Sequence, residues 1–159
     1  MFDTRNDLSG DTRTKAIRLL NARLAEAIDL GLQAKHAHWN AKGPHFIALH
    51  ELFDKLAGQI QEEVDLMAER ITALGGSAAG TLGAVVRATG LPAYPESVSD
   101  ALEHVEALAT AVADFGRKVR SGIDDAQGFG DADTADLFTE VSRETDKQLW
   151  LLEAHLHGR

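Results

Sequence analysis

Four long segments of the chain carry apolar side chains at intervals of three, four and seven residues, the spacing that places them on one face of an α-helix. No segment alternates apolar and polar residues in the way a half-buried strand does. The pattern predicts four helices: Asp11 or Thr12 to about Asn40, about Phe46 to Leu74, Ser97 or Ser99 to the turn at Gly128 and Gly130, and Asp131 or Asp133 onward. The chain is therefore predicted to be all-α.

The connections between these helices differ in length. Lys42-Gly43-Pro44 breaks the first helix and Gly75-Gly76 ends the second, as glycine and proline commonly do. The connection over 77–97 is long, and its apolar run Leu82–Ala88 predicts a short helix inside it. Two short turns and one long crossover are the connectivity of a four-helix bundle with a single crossover.

Composition and charge exclude several classes of protein. The 159 residues predict one domain over 1–159, with the polar residues 1–10 as a loose amino-terminal tail. The absence of cysteine excludes a disulfide scaffold, an iron–sulfur cluster and a thiolate zinc site. The net charge of −9 favours cations over a phosphate backbone as partners. Neither a secretory leader nor an apolar run long enough to span a membrane occurs, so we expect a cytoplasmic protein.

Two pairs of potential metal ligands lie on the second helix. His50 and Asp54 are four residues apart, as are Asp65 and Glu69, so each pair shares a helical face. Asp54 and Asp65 are 11 positions apart, which returns them to within about 20° of each other but separates them by about 16 Å along the axis. One helix therefore cannot bring both pairs to one ion.

A two-fold axis between two copies of the chain removes this obstacle. If the two copies of the helix pair antiparallel near Gln59 and Ile60, the first pair of one copy faces the second pair of the other. Ala57 and Gly58 are small enough to allow a close approach there. The sequence thus suggests a metal site between subunits, made twice per dimer. The alternative is that these acidic residues are only the solvated boundary of the apolar stripe.

His38 adds an imidazole from the inward face of the first helix. It is either a metal ligand or a core histidine bonded to a carbonyl, because an unpaired buried imidazole is costly. A shell of imidazole and carboxylate suits Fe(II), Mn(II) or Zn(II). The other histidines show no such pattern: His36 must point away from His38, and the rest stand in a turn, alone or near the carboxyl end (His45, His104, His155 and His157).

Residues 35–46, 49–54 and 65–70 resemble the Dps family of mini-ferritins, the DNA-binding proteins from starved cells, in the runs KHAHWNAKGPHF, LHELFD and DLMAER. The carboxyl-terminal runs over 133–137, 142–143 and 146–150 are also similar to the family. The resemblance covers nearly the whole chain. The spacing of five residues matches the ligands of the family's ferroxidase site: His38, His50, Asp54, Asp65 and Glu69.

The resemblance implies a ferritin-like bundle that assembles into a hollow homo-dodecamer. Such proteins bind Fe(II) between subunits, oxidise it preferentially with hydrogen peroxide and store the ferric mineral inside, which protects the cell against oxidative damage. His38 and His50 then supply imidazole ligands and Asp54 a carboxylate from the same chain. The resemblance places the other two ligands in the partner subunit and the short crossover helix at the two-fold interface. Trp39, next to the site, is expected either to carry an electron or to pack in the interface.

The resemblance also suggests how iron enters and nucleates. Glu51 and Glu62 lie farther round the second helix, on the expected cavity side, where they are candidates for nucleating ferric oxide. The family lines its three-fold pores with acidic residues early in the fourth helix, which here are Asp131, Asp136 and Glu140. The alternative is that charge at the start of the helix compensates the helix dipole, which accounts for Asp133 and Asp136 without a pore.

DNA binding is the main competing function. The resemblance brings in a nucleoid-compacting protein as an alternative, which would place the protein at the nucleoid. Residues 1–15, however, hold three basic and three acidic side chains, and a shell of twelve copies at −9 each repels duplex DNA. A third alternative, a ferritin with its site inside one bundle, requires Glu-x-x-His, which the sequence lacks.

Overall fold

A computed structural model describes residues 1–95 and 97–157 and confirms the all-α prediction. Four long helices form the bundle, and a short fifth helix lies in the crossover between its second and third members. Over the described residues no β-strand forms. The helices are α1 (Gly10–Asn40), α2 (Phe46–Ala73), α3 (Leu82–Ala88), α4 (Ala101–Gly128) and α5 (Ala132–Glu153).

Short polar side chains fix where the helices begin. Ser9 caps α1 by accepting a hydrogen bond from the backbone N–H of Thr12, so the prediction of Asp11 or Thr12 as the cap is wrong. Asp100 likewise caps α4, rather than Ser97 or Ser99. In each case several capping residues are adjacent in sequence, and propensity alone does not choose among them. Asp131, one of two predicted candidates, caps α5.

Residues 1–10, predicted to be a loose tail, contact the bundle at Phe2 and Leu8. The backbone N–H of Phe2 donates to the carbonyl of Gly75 at 2.7 Å. Gly75 has a φ of +84°, and a Cβ there would approach the Phe2 oxygen to 2.6 Å. Glycine is therefore required at this contact, both for the left-handed backbone and for the space. Leu8 also packs against the core.

The core runs along the bundle between two helical hairpins. α1 packs along α2 and α4 along α5, and their inward faces meet around fully buried aromatic and aliphatic side chains such as Phe53, Phe115 and Phe138. Burying each such side chain contributes about 1.5–3 kcal/mol to folding. Gly122 lets α4 approach the Phe138 ring, since a Cβ there would lie 3.3 Å from it. In the described part of the chain, no helix combines the length and apolarity needed to cross a membrane.

Candidate metal centre

His38 and His50 are held against each other by two reciprocal hydrogen bonds. The Nδ1 atom of each ring lies 2.8 Å from the backbone carbonyl oxygen of the other residue, and the rings stack with centroids 3.8 Å apart. The turn around Gly43, whose φ is +111°, folds α2 back along α1 and brings these two positions side by side. The structure therefore pairs the two histidines that the sequence places 12 residues apart.

This bonding sets the tautomer of both rings. A carbonyl oxygen only accepts, so each Nδ1 must carry the proton that it donates. In the neutral ring each Nε2 then keeps its lone pair, which is the form in which imidazole binds a metal ion. The two predictions for His38, a hydrogen bond to a carbonyl and a role as metal ligand, are thus compatible. The hydrogen bond uses Nδ1 and leaves Nε2 available for a metal ion.

Asp54 lies one turn beyond His50 on α2 and is paired with Lys35. The Lys35 Nζ atom is 2.6 Å from Asp54 Oδ1, and this hydrogen bond and charge hold the pKa of the carboxyl below its usual range. The same ammonium lies 5.7 Å from the centroid of the Trp39 ring. The Lys35 ammonium thus occupies one oxygen of the Asp54 carboxylate. Sequence reasoning missed Lys35, although its position three residues before His38 places both on one face of α1.

The second pair of predicted ligands lies apart from the first. Asp65 and Glu69 are exposed on α2, toward its carboxyl end. Within residues 1–95 and 97–157, no three histidine or acidic side chains lie close enough together to hold a metal ion. One chain therefore presents two separate pairs on α2, as the helical geometry requires.

The three remaining glutamates on α2 differ in how deeply they are buried. Glu51 and Glu62, the predicted nucleation residues, are exposed. Glu63 is buried, with Oε1 accepting a hydrogen bond from Gln148 Nε2 at 2.9 Å. Burial, reinforced by Glu62 and Glu144, raises the pKa of Glu63 to about 8 despite the Gln148 bond. The sequence could have indicated Glu63 through its position one turn from Gln59–Ile60, on the inward stripe.

The structure corrects one of the predicted pore residues. Asp131 is 1% exposed; its carboxylate accepts from the backbone N–H and the hydroxyl of Thr134 and pairs with Arg70 Nη2 at 2.7 Å. Its assignment to a pore is therefore wrong: it satisfies the unpaired N–H groups at the start of α5 and neutralises Arg70. Asp136 and Glu140 are exposed on α5.

Trp39 is the next residue after His38 and is 67% exposed in the single chain. Its indole lies at the end of α1, beside the Lys35–Asp54 pair. The position is compatible with either of its predicted roles, electron transfer or packing between subunits. His104, which the sequence leaves isolated, is fully buried and bonded to Tyr94.

Comparisons with known proteins extend over nearly the whole chain. Residues 17–158 match the family model of the ferritin-like domain. The DNA protection during starvation protein of Agrobacterium fabrum is 46% identical over 156 residues, covering 98% of this chain and 96% of that protein. DpsC from Streptomyces coelicolor superposes with a TM-score of 0.93 at 32% identity, covering 100% of this chain and 92% of that one. Mycobacterium smegmatis Dps gives 0.92 at 32% identity, with coverages of 99% and 90%.

Proposed function

Since the chain belongs to the Dps family of ferritin-like proteins, we propose that it oxidises Fe(II) at sites shared between two subunits and stores the ferric product in a hollow dodecamer. Hydrogen peroxide is the preferred oxidant. The observation that carries this proposal is the reciprocal bonding of His38 and His50, which leaves both Nε2 lone pairs free for a metal. Two imidazoles beside a carboxylate are a donor set suited to Fe(II).

A second copy of the chain completes each site. Asp54, Ala57 and Gly58 line one depression between α1 and α2, and a Cβ at Gly58 would meet no atom of its own chain within 4 Å. Leu82 and Val86 on α3 are each 69% exposed, an apolar face that favours contact with another protein surface. These features support an antiparallel pairing of α2 helices in which Asp65 and Glu69 reach the histidine pair of the partner.

Iron is the substrate at this site. Because no three ligands of one described chain lie close enough to hold an ion, binding of Fe(II) at the Nε2 atoms of His38 and His50 requires Asp54 to leave Lys35 and turn toward the ion. Two Fe(II) ions give one electron each to one molecule of hydrogen peroxide, which yields two Fe(III) ions and two hydroxide ions. Removing both reactants together keeps hydroxyl radicals out of the surrounding solution and protects against oxidative damage.

The surrounding acidic residues guide the entry of iron and the nucleation of the mineral in this proposal. Asp136 and Glu140 line the entry path, because stacked carboxylates lower the potential for a cation. Glu51 and Glu62 face the cavity and bind the first ferric ions of the mineral. Trp39 carries an electron between the site and bound oxidant.

Ligand variants test the site directly. His50→Ala and Asp65→Asn should each slow peroxide-driven oxidation of Fe(II) at least about tenfold, the low end of the effects seen when metal-site residues are removed. The rate is followed by ferric absorbance after anaerobic loading, with light scattering on the same sample to check the assembly. Asp124→Asn, an exposed aspartate on α4, is the matched control. Wild-type rates in both ligand variants would contradict the proposal.

A further inference from the structure

Tyr94 and His104 form a hydrogen-bonded pair outside the metal centre. The Tyr94 hydroxyl lies 2.6 Å from His104 Nδ1, and the two rings are nearly parallel, at 18°. His104 is fully buried and Tyr94 is half-buried. Tyr94 is the only tyrosine in the sequence, so any tyrosine chemistry of this protein belongs to this pair.

Burial favours the neutral form of both rings in this pair. Burial raises the pKa of Tyr94, so its hydroxyl keeps its proton. Burial and the neighbouring His36 lower the pKa of His104, which favours the neutral ring. In the tautomer of His104 that carries its proton on Nε2, the unprotonated Nδ1 accepts the hydrogen bond that the Tyr94 hydroxyl donates. The imidazole is thus a ready acceptor for that proton.

The pair lies beside the aromatic side chain that follows a metal ligand. Tyr94 and Trp39 line one surface depression together with His36, whose ring centroid is 5.1 Å from that of Tyr94. Trp39 directly follows His38 in α1. Trp39 therefore connects the segment that carries a metal ligand with the depression beside the Tyr94–His104 pair.

Removing an electron from a phenol makes its hydroxyl proton strongly acidic. If that proton stays, the oxidised phenol is a cation, and a half-buried site solvates a cation poorly, which costs free energy. An imidazole at hydrogen-bond distance avoids this cost by taking the proton as the electron leaves. We propose that Tyr94 is a one-electron relay for the metal centre, with His104 as its proton acceptor. The relay rests on the proposed oxidation of Fe(II), which supplies both the oxidant and the final electron donor.

The relay cycle begins and ends with a neutral Tyr94 and a neutral His104. One Fe(II) reduces hydrogen peroxide by one electron, giving Fe(III), hydroxide and a hydroxyl radical. Tyr94 gives one electron to that radical, which becomes hydroxide, while the Tyr94 O–H bond breaks and its proton moves to His104 Nδ1. A second Fe(II) then returns an electron to the Tyr94 radical and His104 returns the proton. The net reaction is that of the metal centre, and the radical is consumed inside the protein.

Rapid freeze-quench electron paramagnetic resonance tests the relay. Fe(II)-loaded protein mixed with hydrogen peroxide should show a transient tyrosyl radical that is absent in Tyr94→Phe. In His104→Gln its yield should fall by about 100-fold, the lower end of what a positioned base contributes to proton transfer. His155→Gln, an exposed histidine near the end of α5, is the matched control and should match the wild type.

A second measurement needs neither iron nor a variant of the buried histidine. Metal-free wild-type protein is oxidised by a flash-excited ruthenium complex, and formation of the tyrosyl radical is timed in H2O and in D2O. Formation should be slower in D2O, because the proton moves with the electron. Equal rates in the two solvents, a radical yield unaffected by His104→Gln, or Fe(II) oxidation without any tyrosyl radical would each overturn the relay. The last result leaves the proposed oxidation of Fe(II) standing. A D2O-sensitive radical formed by the flash in a protein that does not oxidise Fe(II) would instead reject the proposed function and the relay to its metal centre, and would leave only the proton transfer from Tyr94 to His104.

Discussion

Glu63 shows at the scale of one residue what burial does to a carboxylate in this bundle. Its usual pKa of 4.5 is raised to about 8, chiefly by burial, although Gln148 donates a hydrogen bond to it. Between these two values the folded chain holds a proton that the unfolded chain has released. The contribution of protonated Glu63 to the free energy of unfolding is therefore complete below pH 4.5 and is lost as the pH rises through about 8.

Glu63→Gln should remove this pH dependence. A neutral amide of nearly the same volume needs no proton, so the variant should exceed the wild type in free energy of unfolding by about 1–3 kcal/mol above pH 8. Urea denaturation of metal-free protein across this range measures the difference, and Glu51→Gln, an exposed glutamate near the other end of α2, should leave the profile unchanged. A Glu63→Gln profile that still falls in parallel with the wild type would contradict this account.

Residues such as Asp131 and His104 show where sequence reasoning stops. The charge of Asp131 and its place before a helix were visible, but its ion pair depends on Arg70, which lies 61 positions away and reaches it only in the folded bundle. Likewise, no local pattern joins His104 to Tyr94 in the crossover. His38, His50 and Asp54 were predictable because a helix repeat and one short turn, both local, determine their proximity.

At the scale of the helices, bounds and register were largely readable from sequence. The apolar period predicted the carboxyl end of α2 to within one residue. The apolar run in the crossover predicted both ends of α3. The caps of α1 and α4 were wrong because adjacent polar residues compete for the same unpaired N–H groups. Capping also distinguishes the acidic residues near the start of α5. Asp131 caps the helix and is buried, whereas Asp136 and Glu140 are exposed.

The exposed acids of α5 carry the prediction about iron entry. Replacing Asp136 and Glu140 by Asn and Gln should slow iron uptake several-fold at low ionic strength and less at high salt, because screening weakens steering of the cation. Stopped-flow uptake at two salt concentrations measures the effect. Asp133→Asn is the control, an exposed aspartate on the same helix. Unchanged uptake at low salt in the double variant would remove the pore assignment.

At the scale of the whole molecule, charge separates iron storage from DNA binding. The chain carries a net charge of −9, and its first 15 residues sum to zero. Salt-dependent binding to a phosphate backbone needs clustered lysine and arginine, which this amino-terminal segment lacks. The segment is also attached to the bundle through the bond between Phe2 and Gly75, so less of it is available to reach DNA.

Purified protein should therefore give no gel shift of linear DNA near physiological salt. The assay is run with and without Mg²⁺, because a divalent cation can bridge two anionic surfaces. A clear shift without added metal that persists as salt is raised would show that DNA is bound directly, in favour of the nucleoid-compacting alternative.

Mixed assemblies test the shared site most directly. Coexpression of His50→Ala and Asp65→Asn chains yields dimers in which one site has lost both ligands and the other is intact. Random pairing should restore about a quarter of the wild-type sites, because half of the dimers are mixed and each keeps one site. Peroxide-driven Fe(II) oxidation should recover to that fraction although each variant alone is nearly inactive. Mixed protein no more active than the two separate variants would place all the ligands in one chain and contradict the two-fold site.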